Sequence, residues 1–335
     1  MREAMLYEKL SDQKVQCHLC AHQCQINRDR RGICGVRENR GGILFSLVYG
    51  MLVAENVDPI EKKPLFHVYP ASKSFSIATA GCNFSCDFCQ NYDISQLPRT
   101  IQTIPGRQTA PQDILERALR TGSRTIAYTY TEPTVYFEYA YDTALLAHQK
   151  GLKNVFVTNG FMTIKALDVI SPYLDAANVD LKSFRDEFYR KRCGGRLQPV
   201  LESLRKMKAA GVWVEVTTLL IPGMNDSEEE LHDIASFIVS LGAETPWHIS
   251  RFYPRYKMEQ WSATSAAMIH KAAEIGKSCG LKYVYSGNMP GDAGENTSCS
   301  HCGKLLIARY GFHIDQMSLR GAACPQCGTT LDGII

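Results

Sequence analysis

The stretch FSIATAGCNFSCDFCQN, residues 75–91, runs from an apolar, β-prone segment straight into three closely spaced cysteines. Residues 75–81 read as a buried strand. Ala80 to Asn91 read as the loop at its carboxyl end, which sets Cys82, Cys86 and Cys89 in a C-x3-C-x2-C arrangement. Working outward, further strands are predicted at about 124–129, 153–158, 176–181, 212–220 and 246–251. Helical stretches at about 111–121, 134–150, 163–172, 197–210, 226–241 and 263–279 alternate with them, each with an apolar stripe near the helical period. Asn225-Asp226-Ser227 ahead of Glu228, Glu229 and Glu230 is a capped, acid-rich helix start. Six βα repeats are too few for an eight-stranded barrel. They predict an α/β fold, a partial (β/α)6 barrel with its working face at the carboxyl ends of the strands.

The chain has 335 residues, 45% of them hydrophobic and 21% charged, which excludes disorder and fibrous architectures. Lys and Arg (37) nearly balance Asp and Glu (34), and a net charge of +3 gives no ground for a nucleic-acid or membrane partner. No apolar run is long enough to span a bilayer, and the N-terminus lacks the pattern of an export signal. A cytoplasmic protein is expected.

Cysteine usage is the compositional anomaly. Of 13 cysteines, 11 fall into three groups: Cys17, Cys20, Cys24 and Cys34; Cys82, Cys86 and Cys89; Cys299, Cys302, Cys324 and Cys327. In a cytosolic chain of this length such groups read as metal ligands rather than disulfides. Three domains are expected: a Cys-rich metal-binding module at 1–57, the barrel at 58–295 and a zinc ribbon at 296–335. The proline-rich segment 58–70 reads as an extended connection into the first strand.

Three thiolates can hold three irons of a [4Fe–4S] cluster and leave the fourth iron open to a substrate or cosubstrate. A structural zinc site wants a fourth protein ligand, and no neighbour of Cys82, Cys86 and Cys89 supplies a convincing one. Cys299-x2-Cys302 and Cys324-x2-Cys327 have the knuckle spacing of a four-cysteine zinc site. The N-terminal C-x2-C-x3-C-x9-C spacing fits zinc or a second iron–sulfur cluster. Cys193, in the basic stretch YRKRCGGR after the fourth strand, is a candidate reactive thiol.

The C-x3-C-x2-C loop, with an aromatic before its last cysteine, resembles the radical S-adenosylmethionine (SAM) superfamily. The resemblance implies that SAM chelates the open iron, is reductively cleaved to a 5′-deoxyadenosyl radical, and lies with its adenine near Phe88. It implies that Glu132, in Tyr128–Pro133 (YTYTEP), holds the SAM amino group. Thr158 and Asn159 at the third strand end, and Asp180 at the fourth, are further cofactor-binding candidates resembling the pyruvate formate-lyase activase branch. Asp180, Lys182, His248 and Arg251, at strand ends, and Cys193 are the candidate catalytic residues. Val157 and Thr217 stand where that branch usually carries Asp and Arg.

CHLCAHQC (Cys17 to Cys24), GVR (Gly35 to Arg37), DPIEKKP (Asp58 to Pro64), NVDLK (Asn178 to Lys182) and PWHISR (Pro246 to Arg251) extend the likeness. Together they resemble the radical SAM enzyme of the AmmeMemoRadiSam system. That resemblance implies Memo-like and AMMECR-like partners and a low-potential electron donor such as flavodoxin or ferredoxin. The expected activity is hydrogen abstraction from a small-molecule or partner-bound substrate. The alternatives are a glycyl-radical enzyme activase and a non-catalytic zinc-ribbon adaptor.

Overall fold

In a computed structural model, which describes residues 1–101 and 103–335, the body of the chain is built on seven parallel strands. These are β1 (Lys73–Thr79), β2 (Thr125–Tyr128), β3 (Lys153–Thr158), β4 (Ala176–Asp180), β5 (Trp213–Leu220), β6 (Trp247–Arg251) and β7 (Val284–Gly287), side by side in chain order. Every residue of β2 is buried, and β1 is buried from Ser74 onward, as a parallel sheet covered on both faces requires.

The crossovers carry α1 (Pro111–Arg120), α2 (Phe137–Gln149), α3 (Ile164–Ile170), α4 (Leu197–Ala209), α5 (Glu228–Leu241) and α6 (Ala266–Ser278). Helix α1 packs on α2, α3 on α4 and α5 on α6. Ser227 caps α5 as expected, its hydroxyl accepting from the Glu230 amide at 3.3 Å. All six expected βα repeats are present, and β7 adds a strand. Beyond β1 the sheet continues through the antiparallel strand Met51–Pro59 and then Arg107–Gln108. Among the described residues that edge does not pair with β7, so the barrel stays open.

Two small antiparallel sheets precede the barrel, one from Tyr7–Lys9, Val15–Cys17 and Gln25–Ile26, the other from Arg2–Glu3, Arg37–Arg40 and Ile43–Ser46. They lock onto the barrel by a buried, bidentate Arg37–Glu138 pair (2.9 and 3.1 Å) and by a bridge between Cys20 and Met162. A three-stranded sheet of Thr297–Ser298, Leu305–Tyr310 and His313–Met317 forms the C-terminal ribbon.

The segment expected as a simple connection proves to be a floor inside the barrel. Asn178 donates to the Pro64 carbonyl at 2.8 Å, and the amides of Phe66 and His67 donate to Glu215 at 3.0 and 2.8 Å. From the ribbon, Arg309 lies 4.1 Å from the Phe66 ring centre and donates to the Phe66 carbonyl at 3.1 Å. His67 is held between the Asp332 carbonyl (2.6 Å) and the Tyr285 hydroxyl (2.7 Å). The ribbon is thus docked beneath the barrel. Strand Met51–Pro59 also runs through position 57/58, so the N-terminal part and the barrel share a strand.

Candidate active site

The carboxyl ends of the parallel strands surround a cavity of about 530 Å³. Strand side chains alternate between faces, so Asp180, Thr217 and Ser250 share the inner face with Asn178, Glu215 and His248 two residues earlier. The first trio lines the cavity, and the second makes the layer beneath it.

Cys82, Cys86 and Cys89 line one wall. Their loop is fixed from behind by the turn at Tyr189–Cys193: the Ser85 amide donates to the Cys193 carbonyl at 2.8 Å and the Asp87 amide to the Arg192 carbonyl at 3.0 Å. Burial, helped by the neighbouring Glu132 and Cys86, pushes the Cys82 thiol up. A hydrogen bond with the Cys193 thiol and burial do the same for Cys86. Such thiols ionise only when a bound cation compensates. The Phe84 amide donates toward the Cys82 sulfur at 3.3 Å, and the Ser95 hydroxyl shares a hydrogen bond with the Cys89 sulfur at 3.3 Å. The wall therefore fits an iron–sulfur cluster.

Glu132, 1% exposed, lines the same cavity. Its Oε1 accepts from the Thr134 amide (3.0 Å), the Thr134 hydroxyl (2.5 Å) and the Thr158 hydroxyl (2.7 Å); its Oε2 accepts from the Asn159 amide (2.8 Å). Burial outweighs these four bonds and leaves the carboxyl above its ordinary pKa. One Oε2 lone pair remains for a cationic ligand group, which would restore the charged form. Asn159 joins this acidic wall to the cysteine wall, bonding Asn83 at 2.7 Å with its amide nitrogen 3.8 Å from the Cys82 sulfur.

Of the other expected site residues, Phe88, Asp180 and Lys182 also line the cavity. Phe88 is braced by Phe188 at 5.8 Å between ring centres. Burial opposes the charge on Lys182, but Asp180, at 2.8 Å, holds it protonated. Cys193 does not face the cavity; it is fully buried behind Cys86. His248 lies in the lower layer, 2.7 Å from Glu215 and packed against Phe66 and Tyr285. Arg251 is turned away too, donating to the Thr264 carbonyl at 2.7 Å and lying 5.0 Å from the Tyr253 ring centre. These three contact structural partners instead of the cavity.

Sequence reasoning passed over Lys62, Lys63 and Tyr130, which line the cavity. Lys63 is buried, 2.6 Å from Asp58 and 4.4 Å from the Tyr130 ring centre. Burial pushes its ammonium down to about 8 against the pull of Asp58. Burial also opposes ionisation of Asp58, yet hydrogen bonds from Lys63, Tyr130 and Lys62 hold its carboxyl well below the usual range. Tyr130 adopts a left-handed backbone (φ 62°), a strained conformation for a bulky residue, which places its ring in this cluster. The available signals were the quoted DPIEKKP and YTYTEP motifs, whose inner residues carry no distinctive pattern by themselves.

A three-cysteine loop at the end of β1 and a buried acidic group at the end of β2, lining one cavity on an open parallel barrel, define the class. Residues 76–238 match the family profile of the radical SAM superfamily, and the chain is a radical-generating enzyme. That family implies a [4Fe–4S] cluster and SAM. The chain is 46% identical over 338 residues to the uncharacterized protein MJ0808 of Methanocaldococcus jannaschii, covering all of both chains. It is 21% identical over 170 residues to the pyruvate formate-lyase 1-activating enzyme of Escherichia coli (strain K12), spanning 48% of this chain and 67% of that one. In fold it is similar to Streptococcus suis SuiB bound to S-adenosylmethionine: TM-score 0.50, 12% identity, 68% of this chain and 52% of that one.

At the C-terminus the sulfurs of Cys299, Cys302, Cys324 and Cys327 all lie within 4.8 Å of one another. No helix among the described residues is long and apolar enough to cross a membrane.

Proposed function

We propose that this enzyme binds SAM between the Cys82/Cys86/Cys89 loop and Glu132, and uses it to abstract hydrogen from a small-molecule or partner-bound substrate. The observation that carries this reading is that the three cysteines and a buried carboxylate line a single cavity, linked to each other through Asn159. A [4Fe–4S] cluster held by Cys82, Cys86 and Cys89 would supply, from a low-potential donor of the flavodoxin or ferredoxin class, the electron for reductive cleavage of SAM to methionine and a 5′-deoxyadenosyl radical. The protein's part is positional. Glu132 orients the SAM ammonium, Asn159 ties that contact to the Cys82 wall, and Phe88 offers a flat apolar face to the adenine. Asp180 and Lys182, whose Nζ lies 5.8 Å from the Phe88 ring centre, form a charged pair able to receive a polar substrate group. Lys63, with an ammonium near its titration point at neutral pH, can hold or release a proton at Nζ.

Anaerobic turnover with cell extract and deuterium tracing into 5′-deoxyadenosine tests this reading. Deuterium should enter from a labelled substrate pool. No 5′-deoxyadenosine from reduced, cluster-replete protein would overturn it. The likeness to activating enzymes favours one alternative substrate, a glycyl-radical enzyme. That reading requires a glycyl-radical EPR signal on an added partner. Assignment to the AmmeMemoRadiSam system rests on the motifs alone. We take zinc as the metal of the C-terminal site, because sulfur pairs at 3.5 and 3.7 Å suit four thiolates placed tetrahedrally about 2.3 Å from one ion, about 3.8 Å apart.

A further inference from the structure

A second set of four cysteines lies outside the site just described. Cys17 ends the strand Val15–Cys17, Cys20 bridges to Met162, the Cys24 carbonyl accepts from the Cys17 amide at 2.9 Å, and Cys34 lies in the turn before Arg37–Arg40. All four border one small hollow whose remaining wall includes Leu19, Ile26, Val135 and Arg37. Four converging thiols in an apolar hollow call for a cation.

The sulfur spacing says which, and a second observation supplies a partner for the bound group. Among the described residues, only the C-terminal four cysteines form a set of ligand atoms lying within 4.8 Å of one another. The N-terminal sulfurs are spread more widely, as are those of Cys82, Cys86 and Cys89, although nothing but a metal site accounts for their convergence. A single tetrahedral zinc draws its thiolates to about 3.8 Å and leaves no hollow between them. A cubane binds each thiolate to a different iron and so holds them further apart. The second observation is Arg37, 2% exposed. Its two terminal nitrogens are engaged by Glu138 and by the Met5 carbonyl, while its Nε is buried without a hydrogen-bond partner. Arg37 borders the hollow, and a cluster sulfur there supplies the acceptor that Nε lacks.

We propose that Cys17, Cys20, Cys24 and Cys34 bind a second [4Fe–4S] cluster, fully ligated by cysteine, beside the first. Its neighbourhood is defined by direct contacts. His22 borders the hollow and bonds the Asn83 carbonyl at 2.9 Å, one residue from Cys82. Thr134 borders the same hollow and donates to Glu132. Gly81, immediately before Cys82, packs so closely on Val36 and the Cys34 carbonyl that an added Cβ would come within 2.7 Å of Val36.

The test is acid-labile sulfide per chain after anaerobic reconstitution of the full protein, a quantity that zinc or a lone iron cannot supply. Two cubanes give about eight sulfides. The variant with Cys82, Cys86 and Cys89 all changed to Ala should keep about four, with a reduced EPR signal that SAM does not alter. Changing Cys17, Cys20, Cys24 and Cys34 to Ala should leave about four, with a SAM-sensitive signal. About four in the wild-type protein that vanish in the Cys82/Cys86/Cys89 variant, with zinc at the N-terminal site, would overturn the inference; about six would replace the cubane by a two-iron cluster and overturn it equally. About four that survive in the Cys82/Cys86/Cys89 variant would instead support the second cluster and refute the SAM-cluster reading. The wild-type count and that variant decide the matter even if the N-terminal variant fails to fold.

Discussion

Glu132 is where chemistry at the scale of one side chain is most exposed to test. Glu132→Gln keeps the shape, removes the charge and sets an amide against the Asn159 N–H. SAM binding should weaken by about 1.5–3 kcal/mol, the range for hydrogen bonds to charged groups, while iron content stays unchanged. Titration of SAM against the reduced EPR signal measures it, and unchanged affinity would make Glu132 a packing residue. Lys63 gives a second test. Its ammonium, at about 8, lies below its unfolded value because burial penalises the charge. Between about 8 and the unfolded pKa near 10.4 the unfolded chain keeps a proton that the native chain has lost, so this group makes stability rise with pH in that window. Asp58→Asn removes the partner that favours the charged form, and should lower the pH midpoint of Lys63 labelling by amine reagents further. A midpoint that rises contradicts the pairing. The place of Glu132 on the cavity was legible because YTYTEP closes the second strand and resembles the family's motif there. Lys63 was not, since a lysine in a proline-rich connection looks the same whether solvated or buried.

At the scale of elements, the Cys82–Cys89 loop depends on the turn behind it. An added Cβ at Gly195 would come within 2.3 Å of the Phe84 ring, and Gly194 has a left-handed backbone (φ 74°) with Ser85 at 2.7 Å from its missing Cβ. Gly195→Ala should therefore push Phe84 and the loop outward, lowering iron and sulfide at the SAM cluster while far-UV circular dichroism stays native. Full retention of both would mean the ring simply rotates aside. The same scale shows why the sequence was partly readable. Six βα repeats were legible because each couples a β-branched run to a helical stripe. Strand β7 is the four-residue VYSG, too short to show a period, and Met51–Pro59 reads like the end of a cysteine-rich module until its pairing with β1 is seen. His248 and Arg251 were placed at the cavity on strand-end position alone. The inner-face alternation puts His248 one layer lower, and the Thr264 carbonyl draws Arg251 aside.

Across the whole molecule, the ribbon and the barrel meet at His67. Burial pushes this imidazole down to about 4, so between about 4 and its unfolded value near 6.5 the unfolded chain takes up a proton that the native chain refuses. Stability should fall as pH drops through that window. Gln can keep a donor toward the Asp332 carbonyl and an acceptor toward Tyr285, so His67→Gln should flatten the change in melting temperature between pH 7 and 5. An identical slope would assign the effect to other groups. Removing the C-terminal metal with Cys299→Ser and Cys302→Ser should release zinc, unfold about the last 40 residues and lower the melting temperature of the barrel as well, because Arg309 and Asp332 leave the floor. Reductive SAM cleavage should persist, as the cavity lining contains no ribbon residue. Its complete loss in folded, cluster-replete protein would show that the floor sets the geometry above it. The docking of Arg309 under Phe66 also bears on biosynthesis. The ribbon follows the barrel in the chain and leaves the ribosome after it, and until it does, the underside of the nascent barrel lacks its cover. Both upstream cysteine groups are by then fully translated, so cofactor insertion can begin before the barrel is sealed from below.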